Sequence, residues 1–307
     1  MTEPAISVHD LTKSFGDKTV VDHVSMDVAR GEIMGFLGPN GSGKTTTIRL
    51  MCGLLEPDSG DGRVLGLDIR RDRRAIKRRV GYMTQKFSFY EDLSIEENLR
   101  FVAGLYGMAD VRRVVADTLE DLGLTSRRRQ LAGSLSGGWK QRLALAACIM
   151  HHPDLLILDE PTAGVDPKAR REFWDEIHAR ATGGLTVLVS THYMDEAERC
   201  HRIGYISYGR LVATGAVAEV VRDAGLTTLI ITGADTAEAA RQLRGAPGVD
   251  QVAPFGTTLH VVGRDAEALR RTVDEVARRT GTTAAPAETS LEDVFIQLMA
   301  ESRDNMA

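Results

Sequence analysis

Residues 38–45 read GPNGSGKT, and this octapeptide decides the fold. It fills every position of the phosphate-loop pattern, in which two glycines at fixed spacing are followed by Lys and then Ser or Thr. The preceding residues 32–37 (EIMGFL) form a short apolar run typical of a strand, and residues 45–55 (TTTIRLMCGLL) have the apolar spacing of a helix. The sequence therefore predicts a glycine-rich turn between a strand and a helix.

The residue types in this octapeptide suit a triphosphate. Gly38, Gly41 and Gly43 let the backbone come close and turn its N–H groups inward, and the start of a helix adds unpaired N–H groups. Lys44 supplies a point charge for the β- and γ-phosphates, and Thr45 supplies a hydroxyl for Mg²⁺. The alternative is a glycine turn with a surface lysine, which we disfavour because every position is filled and both flanks fit.

The overall composition limits the class of protein. The 307 residues suffice for one large domain and a small one. With a net charge of −5, nothing requires a nucleic-acid partner. Two basic runs, within residues 70–79 and at 127–129, are expected to be solvated helix faces, and contact with anionic lipid headgroups is the alternative.

Cysteine usage and hydropathy bear on the compartment. Cys52, Cys148 and Cys200 show no spacing typical of disulfides or metal sites, which fits a reducing compartment. The N-terminus has no apolar signal region, and no stretch reaches about 18 consecutive apolar residues. We therefore expect no membrane span, so that any membrane role comes through a partner.

The chain up to about residue 220 alternates strands and helices. Residues 5–35 indicate antiparallel strands joined by tight turns, Ser94 with Glu97 forms a capping box, and residues 203–215 indicate an edge hairpin around Tyr208-Gly209. Helices are further predicted over residues 69–79, 95–129 (with breaks near Gly107 and Gly123), 168–181 and after Gly138, and strands over 80–85, 154–160 and 185–191. This alternation indicates a parallel sheet covered by helices.

The character of the sequence changes near residue 223. A strand (226–233), a helix (235–244), two strands (within 249–263) and a second helix (265–280) resemble half of a ferredoxin-like module. A last helix over 289–299 has Thr289 or Ser290 as its N-cap. We interpret this tail as a small interaction or regulatory domain, and the alternative is that it only stabilises the main domain.

Two acids end the apolar run DLLILDE at residues 154–160. A continuous apolar run indicates a strand buried on both faces. Asp159 at its end would hold Mg²⁺ through water, as the corresponding Asp does in phosphate-loop enzymes. Glu160, one residue on, points differently and could polarise an attacking water.

Three further motifs carry a family resemblance. LSGGWKQR (135–142), DEPTAGVDP (159–167) and STHYMDEAE (190–198) resemble the ABC-type ATPases, and the resemblance runs from residue 6 to about 220. YEDLSIEENL, THYMDEAE and the tail motif TSLEDVF resemble the separately encoded ATPases of ABC-2-type drug and cell-surface exporters. The resemblance implies an α/β phosphate-loop NTPase core with an antiparallel β subdomain and a helical subdomain at about 90–150. The domains would be 1–222 and a small α+β domain at 223–307.

The resemblance also implies roles for single residues. Phe15 takes the place of the aromatic that stacks on adenine, and Gln85 matches the glutamine that touches Mg²⁺ and the water. His192 matches the histidine that senses the γ-phosphate. The implied catalytic residues are Glu160, His192, Lys44 and Gln85, and the implied Mg²⁺ residues are Thr45, Gln85 and Asp159. The implied ATP-binding residues are Phe15, Gly38, Pro39, Asn40, Gly41, Ser42, Gly43, Lys44, Thr45 and Thr46.

A second set of residues is implied to act on the opposite subunit. These are Ser136, Gly137, Gly138, Gln141 and Asp166, which would contact ATP bound to the other copy or cross the dimer interface. Three departures from the family pattern stand out: Phe15 replaces the commoner Tyr, Trp139 fills a variable position, and AGVD (163–166) replaces a Ser-Ala-Leu-Asp run. None removes a phosphate, Mg²⁺ or water contact.

The expected protein is the ATPase subunit of an ABC-2-type transporter at the cytoplasmic face of the membrane. It would use ATP and Mg²⁺, form a head-to-tail dimer, and move a separately encoded multi-span permease through the loop after Gln85. There Phe87, Phe89 and Tyr90 are candidate anchors, or are instead buried in this domain. The main rival is a translation or DNA-repair ABC protein, but this chain has one cassette and no long heptad run. LSGGWKQR argues against a kinase or GTPase, and export rests on subgroup likeness alone.

Overall fold

A six-stranded sheet forms the centre of the first of two compact units in this computed structural model, which describes residues 3–301. The first unit comprises the residues up to Thr214 and the second those from Gly215 on. The sheet order is β10-β9-β3-β8-β7-β6, built from β3 (Ile33–Leu37), β6 (Val80–Met83), β7 (Leu155–Asp159), β8 (Thr186–Thr191), β9 (Arg202–Ser207) and β10 (Arg210–Gly215).

The strands β3, β6, β7, β8 and β9 run parallel. Every residue of β3, β7 and β8 is buried, which explains their continuous apolar runs. The predicted hairpin around Tyr208-Gly209 joins β9 to the edge strand β10. Since parallel strands end at one edge of the sheet, the phosphate loop after β3 lies on the same side as the ends of β7 and β8.

A second, antiparallel sheet has the order β2-β1-β4-β5, with β1 (Ile6–Phe15), β2 (Lys18–Val28), β4 (Ser59–Val64) and β5 (Leu67–Asp68). The predicted pair β1–β2 is present, and β4 pairs with β1 in addition. Helix α1 (Lys44–Met51) contributes Ile48, Leu50 and Met51 to a core that holds residues of both sheets. The phosphate loop is therefore anchored between two sheets.

Helices cover the rest of the unit. They are α2 (Arg73–Arg79), α3 (Ile95–Leu105), α4 (Val111–Asp121), α5 (Gly137–Ile149), α6 (Pro167–Thr182) and α7 (Met194–Ala197). The predicted capping box of Ser94 and Glu97 opens α3. The predicted breaks near Gly107 and Gly123 fall where α3 and α4 end. None of the helices in the described part of the chain has both the length and the apolar character of a membrane span.

The second unit is a complete ferredoxin-like arrangement rather than half of one. After α8 (Val217–Asp223) come β11 (Thr227–Thr232), α9 (Thr236–Leu243), β12 (Gln251–Phe255), β13 (Thr258–Gly263), α10 (Ala266–Thr280), β14 (Thr283–Ala287) and α11 (Leu291–Glu301). The sheet order is β12-β13-β11-β14, and all the pairs are antiparallel. The unpredicted strand is β14, whose Pro286 is tolerated because β14 is an edge strand.

The tail motif TSLEDVF fixes α11 to this sheet. Ser290 caps the helix: its hydroxyl accepts a hydrogen bond from the Asp293 N–H at 3.1 Å, and the Asp293 carboxylate accepts one from the Ser290 N–H at 3.0 Å. The Thr289 hydroxyl donates to the Leu226 carbonyl at 3.1 Å. The fully buried Asp293 also accepts from the Thr228 hydroxyl on β11 at 3.4 Å. Of the two predicted caps, Ser290 is therefore the one used.

Candidate nucleotide-binding and catalytic site

The predicted phosphate loop links β3 to α1 and needs its glycines. Gly41 and Gly43 have φ angles of +81° and +104°, in the region that L side chains rarely adopt. A Cβ atom on Gly43 would lie 2.5 Å from the carbonyl oxygen of Val20. The loop conformation thus depends on residues without side chains.

Lys44 is buried beside this loop. Its Nζ donates hydrogen bonds to the carbonyl oxygens of Gly38 at 2.7 Å and Pro39 at 3.1 Å, and lies 3.4 Å from Glu160 Oε1. Burial lowers the pKa of Lys44, and the Glu160 carboxylate opposes this shift. The ammonium is therefore held at the start of α1, facing the end of β7.

A hydroxyl and a carboxylate meet next to Lys44. The Thr45 hydroxyl donates to Asp159 Oδ1 at 3.2 Å, and the Ser190 hydroxyl donates to the same oxygen at 2.7 Å. Hydroxyl and carboxylate oxygens are the ligands that Mg²⁺ prefers. The donor set of Thr45 on α1 and Asp159 at the end of β7 therefore fits the predicted magnesium site.

Glu160 is the point where the predicted catalytic residues converge. Its Oε2 accepts a hydrogen bond from the Gln85 amide at 2.9 Å and lies 3.5 Å from His192 Nδ1. Its backbone has a φ of +47°, which a residue with a side chain adopts only at a cost. This conformation is stabilised by hydrogen bonds from the Glu160 N–H to the Ser190 Oγ and carbonyl oxygen, at 3.0 and 3.1 Å.

A cavity of about 260 Å³ opens between these groups. Most of the residues around it belong to the predicted ATP-binding set. Its lining consists of Val20, Asn40, Gly41, Gly43, Lys44, Thr45, Thr46, Gln85 and Glu160. The structure therefore brings the phosphate loop, the glutamine after β6 and the acid after β7 into one cleft, which we call the phosphate cleft.

Phe15 ends β1 with its side chain 50% exposed. The Lys13 Nζ lies 5.7 Å from the centre of its ring. The ring is thus not part of the core, and its free surface suits stacking on a base.

The residues predicted to act on the opposite subunit lie elsewhere. Ser136, Gly138, Gln141 and Asp166 line a separate cavity of about 270 Å³, and none of its lining residues borders the phosphate cleft. Gly137 follows Ser136 as the first residue of α5. We call this second cavity the signature cavity.

Two of these residues also stabilise the fold of their own chain. Asp166 caps α6 by accepting a hydrogen bond from the Ala169 N–H at 3.0 Å. A Cβ atom on Gly138 would lie 2.7 Å from that of Ala169, so close packing alone requires a glycine there. The unusual Trp139 packs beneath the guanidinium groups of Arg127 and Arg142, at 4.6 and 5.4 Å from its ring.

The loop after Gln85 is only partly covered. Phe87 and Phe89 are half-buried with ring centres 5.2 Å apart, and Tyr90 is 51% exposed against the edge of Phe101. These aromatic side chains are thus not enclosed in the core of the unit.

Sequence reasoning assigned no role to Glu196, which is fully buried. Its carboxylate accepts hydrogen bonds from the hydroxyls of Thr162 and of Thr191, the latter at 2.6 Å, and lies 3.6 Å from Arg170 Nε. Thr162 follows Glu160 by two residues, and Thr191 precedes His192. Glu196 therefore ties together the two segments that carry these side chains.

The fold and the phosphate cleft define a phosphate-loop nucleotide-binding protein. A family model described as ABC transporter matches residues 21–163. The chain is 39% identical over 302 residues to the Nod factor export ATP-binding protein I of Paraburkholderia xenovorans, covering 97% of this chain and 98% of that protein. The chain belongs to the ATP-binding proteins of ABC transporters, which confirms the resemblance to ABC-type ATPases and the predicted fold class.

Two further comparisons support the same family. The probable multidrug ABC transporter ATP-binding protein YbhF of Escherichia coli is 50% identical over 215 residues, which are 69% of this chain but only 37% of that protein. A solved ATP-binding subunit of an ABC transporter superposes with a TM-score of 0.65 at 30% identity, over 71% of this chain and 92% of that one.

Proposed function

We propose that this chain is the ATP-hydrolysing subunit of an ABC-2-type exporter, acting with a separately encoded multi-span permease at the cytoplasmic face of the cell membrane. The observation that carries the proposal is the contact of one carboxylate, Glu160, with Lys44, Gln85 and His192 at the phosphate cleft. Likeness to a protein named for Nod factor export, over 97% of this chain, supports the direction of transport.

The residues of the cleft divide the chemistry among them. Water would attack the γ-phosphorus of ATP, the bond from this phosphorus to the β–γ bridging oxygen would break, and the water proton would pass to Glu160. Gln85 and His192, which face the same carboxylate, orient the water and contact the γ-phosphate. Lys44 neutralises charge on the β- and γ-phosphates.

Thr45, Asp159 and Gln85 would hold Mg²⁺. The bound ion supplies positive charge beside the phosphate oxygens. Since the Gln85 amide nitrogen is engaged with Glu160, its carbonyl oxygen is the atom suited to the ion.

The separation of the two cavities supports a head-to-tail dimer. The phosphate cleft and the signature cavity have no lining residue in common. A pair of copies related by a two-fold axis places the signature cavity of each against the phosphate cleft of the other, and so builds two complete sites. ATP then stabilises the closed pair, and hydrolysis lets it part, because the closed state binds ATP better.

Complementation between two inactive variants tests this arrangement. Lys44→Ala disables the phosphate cleft, and Ser136→Arg blocks the signature cavity. If sites are shared, mixing the two variants yields heterodimers with one intact site and recovers up to roughly a quarter of the wild-type ATPase activity. The double variant in one chain, mixed with the inactive single variants, is the control and yields no intact site. Failure of the first mixture to regain activity would contradict the dimer.

A further inference from the structure

A cationic face on α2 has no partner within the described chain. The helix buries a single residue, Ile76, and leaves Arg74, Lys77 and Arg78 exposed. Lys77 and Arg78 follow Arg74 by three and four residues, so each of them lies beside Arg74 on the helix surface. All three are exposed, and none forms an ion pair with a carboxylate among residues 3–301.

The flanks of the helix are fixed. Arg73 Nε donates to the Gly53 carbonyl oxygen at 2.9 Å. On the other flank, Arg79 Nε and Nη2 both donate to Asp154 Oδ2, at 2.9 and 2.7 Å. With Ile76 buried and both flanks bonded, α2 cannot roll to bring its outward cations to a carboxylate of its own chain. Arg71, just before the helix, is also exposed without an ion pair among the described residues.

We propose that this face, Arg71, Arg74, Lys77 and Arg78, binds the anionic phospholipid headgroups of the membrane. A concavity of about 390 Å³ adjoins the face, and its lining contains Arg71 and Arg74 of the face together with Arg70, Asp72, Arg73 and Ala75, that is, four guanidinium groups and one carboxylate. The chain as a whole has a net charge of −5, so the positive charge of this face is confined to one part of the surface. We therefore adopt the lipid interpretation of this basic run in place of a face that is only solvated.

The chemistry of the face argues against the other macromolecular partners. Cores of protein–protein interfaces are built on aromatic and apolar anchors and are depleted in lysine, and this face has no exposed apolar side chain larger than that of Ala75. Nucleic-acid-binding domains usually carry an overall excess of basic residues, whereas this chain has a net charge of −5. A layer of anionic headgroups needs only local positive charge, and each cation near it strengthens binding about fivefold.

Flotation with lipid vesicles tests the proposal on the full chain. Vesicles of phosphatidylcholine with about one third phosphatidylglycerol are compared with pure phosphatidylcholine vesicles, at low and at high salt. We expect the wild type to float with the anionic vesicles only, and to be released as the salt concentration rises. Binding to both vesicle types alike would overturn the proposal.

The variant Arg74→Gln/Lys77→Gln/Arg78→Gln identifies the face. We expect it to lose about 100-fold in affinity for the anionic vesicles, with unchanged ATPase activity and circular dichroism. The control Arg112→Gln/Arg129→Gln/Arg270→Gln removes the same charge from three exposed sites elsewhere and should bind as the wild type does. Equal losses in the two variants would mean that binding follows net charge, and no loss in the first would exclude the face.

One further outcome would assign the face to a protein. Suppose that the wild type does not bind anionic vesicles but sediments with native membranes, and that the triple variant does not. If protease treatment of the membranes then abolishes the binding of the wild type, a membrane protein is the partner. That result would overturn the lipid proposal. It would leave the proposed ATPase function untouched, because hydrolysis is measured separately.

Discussion

Ser190 holds the carboxylate of Asp159 in place. Its hydroxyl donates to Asp159 Oδ1 at 2.7 Å, and its Oγ accepts the Glu160 N–H at 3.0 Å. One buried hydroxyl at the end of β8 thus fixes both acids at the end of β7. The geometry of the proposed magnesium site and of the proposed base depends on a neighbouring strand.

Removal of that hydroxyl should change the magnesium requirement. In Ser190→Ala, Asp159 loses a hydrogen bond worth about 1 kcal/mol, so roughly fivefold more Mg²⁺ should be needed for half-maximal ATPase activity. Ser207→Ala is the control, since Ser207 is a buried serine at the end of β9 whose hydroxyl has no hydrogen-bond partner in the described structure. An unchanged Mg²⁺ titration for Ser190→Ala would contradict the positioning role.

Loss of the Glu160 carboxylate should separate binding from hydrolysis. Glu160→Gln keeps the shape of the cleft, but it loses the charge that faces Lys44 and cannot take a proton from water, so we expect turnover to fall by at least about 100-fold. ATP binding should persist, and an ATP-dependent dimer should accumulate in sedimentation velocity. Glu120→Gln, on the exposed surface of α4, should behave as the wild type. Normal turnover in Glu160→Gln would remove this residue from the role of base.

Glu196→Gln should impair turnover more than ATP affinity. The amide replaces a carboxylate oxygen by a donor, so one of the Thr162 and Thr191 hydroxyls loses its acceptor and the charge facing Arg170 is lost. Displacement of Glu160 or His192 should lower kcat roughly tenfold or more, with a smaller change in KM. The exposed Glu198, in the same motif, provides the matched control Glu198→Gln. Equal effects of the two variants would count against Glu196 as a positioning residue.

The three cysteines should resist alkylation in the folded chain. Burial raises the pKa of the Cys148 and Cys200 thiols to about 12, and also raises that of Cys52. A raised thiol pKa means less thiolate at a given pH, so at pH 8 we expect the labelling rate to be about 1000-fold below that of a free thiol. Iodoacetamide labelling followed by mass spectrometry, with and without urea, measures this. Rapid labelling without urea would show that a thiol is accessible.

Asp293 should support the stability of the second unit. Asp293→Asn weakens the hydrogen bonds to the Ser290 N–H and the Thr228 hydroxyl, and we expect a loss of about 1–3 kcal/mol in the free energy of unfolding. Glu292→Gln changes the exposed neighbour and should be neutral. Urea unfolding of the full chain, followed by circular dichroism, measures both. Coincident unfolding curves for Asp293→Asn and the wild type would contradict the role given to the tail motif.

The sequence predicts best where one segment suffices to determine the structure. The buried strands β3, β7 and β8 are continuous apolar runs, and the glycine pattern of residues 38–45 needs no distant information. The strand β4, by contrast, reads SGDGRV, which is typical of a turn, and becomes a strand by pairing with β1. Likewise, β14 contains Ala and Pro residues and forms at the edge beside β11.

The candidate site shows the same division. Lys44, Asp159 and Glu160 could be predicted from motifs, because Lys44 closes the glycine pattern at the start of α1 and the two acids stand at the end of the apolar strand β7. The roles of Ser190 and Glu196 could not, since Ser190 bonds to Asp159 and Glu160 at separations of 31 and 30 residues, and Glu196 joins the nearby Thr191 to Thr162, 34 residues away. Glu196 does lie in the motif STHYMDEAE, but the motif does not indicate that its carboxylate is buried.

The left-handed backbone at Glu160 has a consequence for homologous sequences. Glycine or asparagine adopts a φ of +47° more readily than glutamate does. A gene copy released from selection for catalysis is therefore expected to acquire one of these residues at this position. The exchange removes the backbone strain at the same time as it removes the proposed base. Pseudoenzymes among its relatives should be recognisable by that single exchange.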